Sequence, residues 1–232
     1  MQNNVSLRLA KRIWEVVEKE FESGELFEKV SPITKELLRF WFCEPFVSQR
    51  QFNFHKGQKQ SILNIIYLHE VLKINNVLEI YEQVAPDLLL ESDLFRTKET
   101  RNSLKESRYD LPKYLVKMAT GTGKTWVMHA LLIWQILNAK NEEEKSSRFT
   151  KNFLIVAPGL IVYDRLLDAY KGRLSENGNG RDFSTNDFVR NKDLFIPENY
   201  REEVFSFIQN NTVSKEEGIG SKITGNGLIA IT

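Results

Sequence analysis

Cysteine is nearly missing from this chain: Cys43 is the only one in 232 residues. A single thiol cannot close an intramolecular disulfide or build a cysteine-rich zinc site, so the usage fits a reducing compartment, with Cys43 expected as a buried hydrophobe. An excess of charge of one sign is missing as well. The 32 basic residues nearly cancel the 31 acidic ones, leaving +1, so any site for a polyanion has to be local. No apolar run reaches the roughly 18 residues of a membrane span, and the opening MQNNVSLRLAKRIWEVVEKEF lacks the apolar core of a signal peptide. A cytoplasmic protein with no membrane partner is expected. There is no internal repeat, and His55, His69 and His129 are too scattered for a zinc site. What remains, 41% apolar and 27% charged, is the composition of a globular chain of one or two domains and excludes disorder and collagen.

The first half reads as helical. Val5, Leu9, Ile13, Trp14, Val17 and Phe21 recur at mostly helical spacing up to Ser23-Gly24, and a second helix opens at Ser31-Pro32 with Leu37, Leu38, Phe40, Trp41 and Phe42. Residues 56–84 predict a helix, a turn at Asn75-Asn76 and another helix that Pro86 ends. Residues 91–112 are charged and read as a connector. The aromatic group Phe40, Trp41, Phe42, Phe46, Phe52 and Phe54 reads as packing, with Phe52 or Phe54 placed to flank a bound base.

After Pro112 the pattern changes. Residues 114–118 predict a short strand, a glycine loop follows, and residues 126–137 are apolar on nearly all sides, as in a buried helix. Residues 153–157 predict a second buried strand, Pro158-Gly159 a break, and residues 160–170 a helix. Residues 171–226 read as a polar excursion from the core with one helix near 201–209, and residues 228–231 as a third strand. The acidic run at 142–144 reads as a solvated loop. Strand alternating with helix predicts an α/β fold with a parallel sheet.

The chemistry is concentrated in Gly121-Thr122-Gly123-Lys124-Thr125, with Thr120 leading in. Nucleotide phosphates need converging backbone N–H groups, glycines that let the backbone approach, an ammonium on the β and γ oxygens and a hydroxyl on Mg²⁺; this pentapeptide holds all four. One position departs from the general pattern, whose first glycine would fall at Met118, and Gly121 supplies the flexibility instead. Upstream, Gln58 lies in Phe54-His55-Lys56-Gly57-Gln58 ahead of an apolar helix, and its amide can both donate to and accept from an adenine edge.

The stretch from Met118 to Thr125 resembles motif I of superfamily-two helicases and translocases, in the methionine-bearing form of restriction-enzyme motor subunits. The Gln58 element resembles their adenine-recognition element, although some sixty-five residues separate it from Lys124, more than a minimal helicase core uses. Residues 153–159 resemble motif Ia, and Gly227 to Thr232 the strand leading into motif Ib. Over residues 35–232 this order is similar to that of the type III restriction enzyme Res subunit and its DEAD/DEAH-type relatives. The resemblance implies a P-loop NTPase of RecA-like fold preceded by a helical region, with boundaries expected at 1–110 and 111–232. It implies ATP and Mg²⁺ as cofactors, with Lys124 as the catalytic lysine. Thr120, Gly121, Thr122, Gly123, Lys124, Thr125 and Gln58 would bind nucleotide, Thr125 the metal, and Pro158, Gly159 and Thr232 the DNA backbone. It further implies a DNA partner and a modification (methyltransferase) subunit.

An acidic Mg²⁺ box at a strand end is expected beyond Thr232, which makes the chain an incomplete motor unable to hydrolyse ATP alone. The nearest decoys, Asp164 and Glu70, both read as helical. Pro86-Asp87 lacks the following Asp/Glu-x-Lys of a metal nuclease. A small P-loop kinase or regulator, and an interaction module docking a modification subunit, stay open as alternatives.

Overall fold

A computed structural model describes residues 5–91, 97–103, 112–141, 148–175, 178, 180–218 and 225–232. Most of the connector expected at 91–112, and the acidic run at 142–144, lie outside them. In chain order the principal elements are α1 (Val5–Ser23), α2 (Pro32–Phe42), α3 (Lys56–Ile66), α4 (Val77–Val84), α5 (Pro86–Glu91), α6 (Lys124–Asn141), β1 (Asn152–Ile155), α7 (Leu160–Lys171), α8 (Arg201–Asn211), β2 (Thr212–Ser214) and β3 (Leu228–Ile231). They divide into two compact units, Met1–Ser31 with His55–Val127, and Pro32–Phe54 with Met128–Thr232.

The first unit is helical. Leu9, Ile13 and Val17 are buried on α1 at the four-residue spacing that keeps side chains on one helical face. That helix packs on α3, α4 and α5, which contribute Ile62, Leu63 and Ile66, Leu78 and Tyr81, and Leu88 to the interior. The predicted turn at Asn75-Asn76 is built by a cap: Asn76 Oδ1 accepts from the Glu79 N–H at 3.2 Å, and the Glu79 carboxylate accepts from the Asn75 N–H at 2.8 Å. Pro86 ends α4 as expected. It also opens α5, at a first position where its missing donor costs nothing.

Residues 114–118 form no strand. Their side chains alternate between exposed and half-buried, and Leu115 is 92% exposed. An extended segment becomes a strand only when a neighbouring ladder satisfies its backbone, and this unit holds no strand among the described residues.

The second unit contains a parallel sheet ordered β1-β3-β2. In its register Phe153 pairs with Ile229 and Leu154 with Ala230, while Thr212 pairs with Ile229 and Val213 with Ala230. The central strand β3 buries Ile229, Ala230 and Ile231 under α7 and α8, which is why it reads as an unbroken apolar run. The described residues within 171–226, expected as a polar excursion, contribute to the core instead. Phe188, Leu194, Phe195, Val204, Phe207 and Ile208 are core, and β2 is buried along its whole length. Its apolar residues are spread over elements too short to show a period. Phe54 is buried in the same interior, against Trp41 and Phe195, while Phe52 is 62% exposed. Cys43 is half-buried rather than fully so.

A buried polar knot fixes α2 in this unit. Trp134 Nε1 donates to Thr34 Oγ1 at 2.9 Å and Asn138 Nδ2 to the same oxygen at 3.1 Å; Thr34 and Asn138 are fully buried. Thr34→Val removes the acceptor that the two donors share, leaving Asn138 Nδ2 its bond to the Trp134 carbonyl at 2.8 Å, and urea unfolding should show a loss of about 1–2 kcal/mol.

Candidate functional site

The glycine loop and the start of α3 form one constellation within the first unit. Gly121 and Gly123 hold φ of +80° and +70°, a region that costs glycine nothing. The Thr122 hydroxyl donates to the Ala119 carbonyl at 2.7 Å, and the Gly123 carbonyl accepts from Trp126 N–H at 3.0 Å to open α6. Lys124 curls over the loop, its Nζ donating to the carbonyls of Met118 and Ala119 at 3.2 and 2.8 Å. Lys124, Thr125 and Thr120 are exposed.

The loop is tied to α3 at two points. His55 caps that helix, its Nδ1 accepting from the N–H groups of Gly57 at 3.0 Å and Gln58 at 3.4 Å, while Nε2 lies 2.9 Å from the Thr122 carbonyl. A carbonyl only accepts, so Nε2 carries the proton, and the neutral tautomer is set by its contacts. Gln58 closes a capping box: its Oε1 accepts from His55 N–H at 2.9 Å and its Nε2 donates to the Gly123 carbonyl at 3.3 Å. The structure thus brings Gln58 to the loop, 3% exposed and with both ends of its amide engaged. His55 was missed as a loop contact; a cap residue followed three positions later by glutamine was the signal.

Pro158, Gly159 and Thr232 form a second cluster, in the second unit. The β1–β3 ladder runs past its last strand residues: Thr232 N–H donates to the Ile155 carbonyl at 3.0 Å and Ala157 N–H to the Thr232 carbonyl at 2.7 Å. Thr232 is therefore beside the turn that carries Pro158 and Gly159. This is the carboxyl edge of a parallel sheet, the edge at which α/β folds place ligands. Gly159 precedes α7 with no side chain capping the helix. The decoys stand as read: Asp164 is exposed on α7, and the Glu70 carboxylate accepts from Ser31 N–H.

Residues 51–223, well over half of the chain, match the family described as type III restriction enzyme, res subunit. The chain belongs to that family. The match spans the Gln58 element, the glycine loop and the Pro158-Gly159 turn, and it identifies a helicase-like ATP-binding domain. The α/β fold with its parallel sheet of three described strands is consistent with the incomplete P-loop, RecA-like arrangement expected, without the strand expected at residues 114–118. No curated protein and no solved structure matches the chain. Among the described residues, no helix is long and apolar enough to cross a membrane.

Proposed function

We propose that this chain is the ATP-binding part of a DNA-dependent motor of a restriction-type enzyme. The observation that carries the reading is the loop itself: two glycines at positive φ ahead of an exposed Lys124 and Thr125 at the start of α6, braced from behind by His55 and Gln58. The donor set fits MgATP. Backbone N–H groups of residues 121–125 and the Lys124 ammonium would hold the phosphates, Thr120 and Thr122 would flank them, and the Thr125 hydroxyl would face Mg²⁺. Bound there, the metal would supply charge neutralisation for phosphoryl transfer. Gln58 enters this site through Gly123. Pro158, Gly159 and Thr232 would touch DNA phosphates without reading bases. In the enzyme at work we place a modification (methyltransferase) subunit and an endonuclease function alongside this motor, in the cytoplasm.

Turnover requires a carboxylate at a strand end to position metal and water. We assign that role to neither Asp164, on a helix, nor Glu70, held by Ser31, and infer that the chain binds ATP without hydrolysing it. Calorimetry with MgATP on the wild type and Lys124→Ala, with phosphate release measured on the same samples, tests both parts. Binding should weaken at least tenfold in the variant, with no release from either. Equal binding by both chains would sink the reading in favour of a docking module, and transfer of phosphate to an acceptor would favour a small kinase.

A further inference from the structure

Within the first unit, a cavity of about 750 Å³ opens beside the glycine loop. Its walls include Trp14 and Glu18 of α1, Gln60 and Asn64 of α3, and Ala119 and Thr122 of the loop. Trp14 is 38% exposed, large for an aromatic on a packed helix. Its indole is fixed in place: Nε1 donates to Glu18 at 2.9 Å, and the Lys56 ammonium lies 5.3 Å from the ring centroid.

The polar wall is equally specific. Gln60 Nε2 donates to Asn64 Oδ1 at 2.8 Å, and these two amides make no other side-chain hydrogen bond among the described residues. Gln60 Oε1 is left to accept and Asn64 Nδ2 to donate. Reversing both amides still leaves one acceptor and one donor, so the pair always presents both. A purine edge offers the complement, as adenine does with its exocyclic amine beside a ring nitrogen.

We propose that this cavity is the nucleobase subsite of the loop's ligand, with Trp14 as its stacking wall and the Gln60–Asn64 pair reading the purine edge. The proposal rests on the phosphate-loop reading above and moves base recognition away from Gln58, whose amide is engaged by His55 and Gly123. Neither Trp14 nor its helix lies within the matched residues 51–223, so the base wall would be a feature that the family match leaves out.

The test is calorimetry on the full chain with MgATP and with inorganic tripolyphosphate, which engages the loop and has no base. Trp14→Ala should weaken ATP about tenfold, the scale of one lost base–aromatic stack, and leave tripolyphosphate unchanged; Trp14→Phe should restore most of the loss. Asn64→Leu should likewise lower ATP binding alone. Unchanged ATP binding in Trp14→Ala and Asn64→Leu, or ATP and tripolyphosphate weakened in step, would overturn the subsite while leaving the loop reading intact. A wild type that binds neither compound would overturn the loop reading first and the subsite with it. If Trp14→Ala does not fold, Trp14→Phe and Asn64→Leu decide the matter by the ratio of the two affinities.

Discussion

Between pH 7 and pH 5 the wild-type chain should lose about 2 kcal/mol of stability through one residue, and His129→Leu should not lose that share. His129 lies on α6 and is fully buried, ringed by Tyr170, Phe188 and Phe195 at 5.3, 4.4 and 5.6 Å between centroids. Neither of its ring nitrogens has a hydrogen-bond partner among the described residues. Burial pushes its pKa from 6.5 down to about 3. The unfolded chain therefore binds a proton below pH 6.5 that the folded chain refuses until about pH 3. Stability from this group is complete above 6.5, falls through the interval at up to about 1.4 kcal/mol per pH unit, and levels off below 3. Asp187, held above the usual carboxylate range chiefly by burial, works in the opposite direction at lower pH. Comparing the wild type with His129→Leu isolates the histidine. At pH 7 leucine also removes an unsatisfied imidazole, so the variant should be no less stable there. Urea denaturation of both chains from pH 7 to pH 4.5 is the measurement, and parallel stability curves would refute the assignment.

Legibility in the sequence followed the range of the interaction responsible. The glycine loop, the turn at Asn75-Asn76, β1, β3 and α8 are specified by neighbours a few residues apart, and the sequence pattern locates them. Even so, β1 is not the buried strand expected: its residues alternate exposed and half-buried, with Leu154 65% exposed. Gln58 was found as a residue of the site, while its engagement was not, because its partner Gly123 lies 65 positions away. Trp14 was read as one more apolar residue of α1; only the cavity beside the loop separates it from Ile13 and Val17, which are buried. The largest misreading, of residues 171–226, came from a core assembled out of four-residue helices and a three-residue strand. Elements that short carry no hydrophobic period, so their burial depends on contacts that sequence spacing cannot encode.

Gly123→Ala should abolish MgATP binding, a loss of more than about a hundredfold, where Gly121→Ala should weaken it about tenfold. Both positions have positive φ, so both variants carry backbone strain of about 1–2 kcal/mol. They differ in what the new methyl group meets. A Cβ on Gly121 has nothing within 4 Å, whereas one on Gly123 would lie 2.2 Å from Gln58 Nε2. That amide has no easy retreat, because Gln58 is buried and its Oε1 is held by the His55 N–H. Something must move, and the candidates are the loop that shapes the phosphate site or the capping box that braces it. The two are coupled, so a double-mutant cycle reads the coupling directly. Gln58→Ala alone removes the brace and should weaken binding modestly. In Gly123→Ala/Gln58→Ala the collision is gone while backbone strain and the lost brace persist, so binding should recover to modestly below the level of Gly121→Ala. Recovery on deleting a second side chain is an outcome that no simple loss of contact produces. If the double variant instead binds no better than Gly123→Ala, the tie between the glutamine element and the phosphate loop is not what holds the loop in shape.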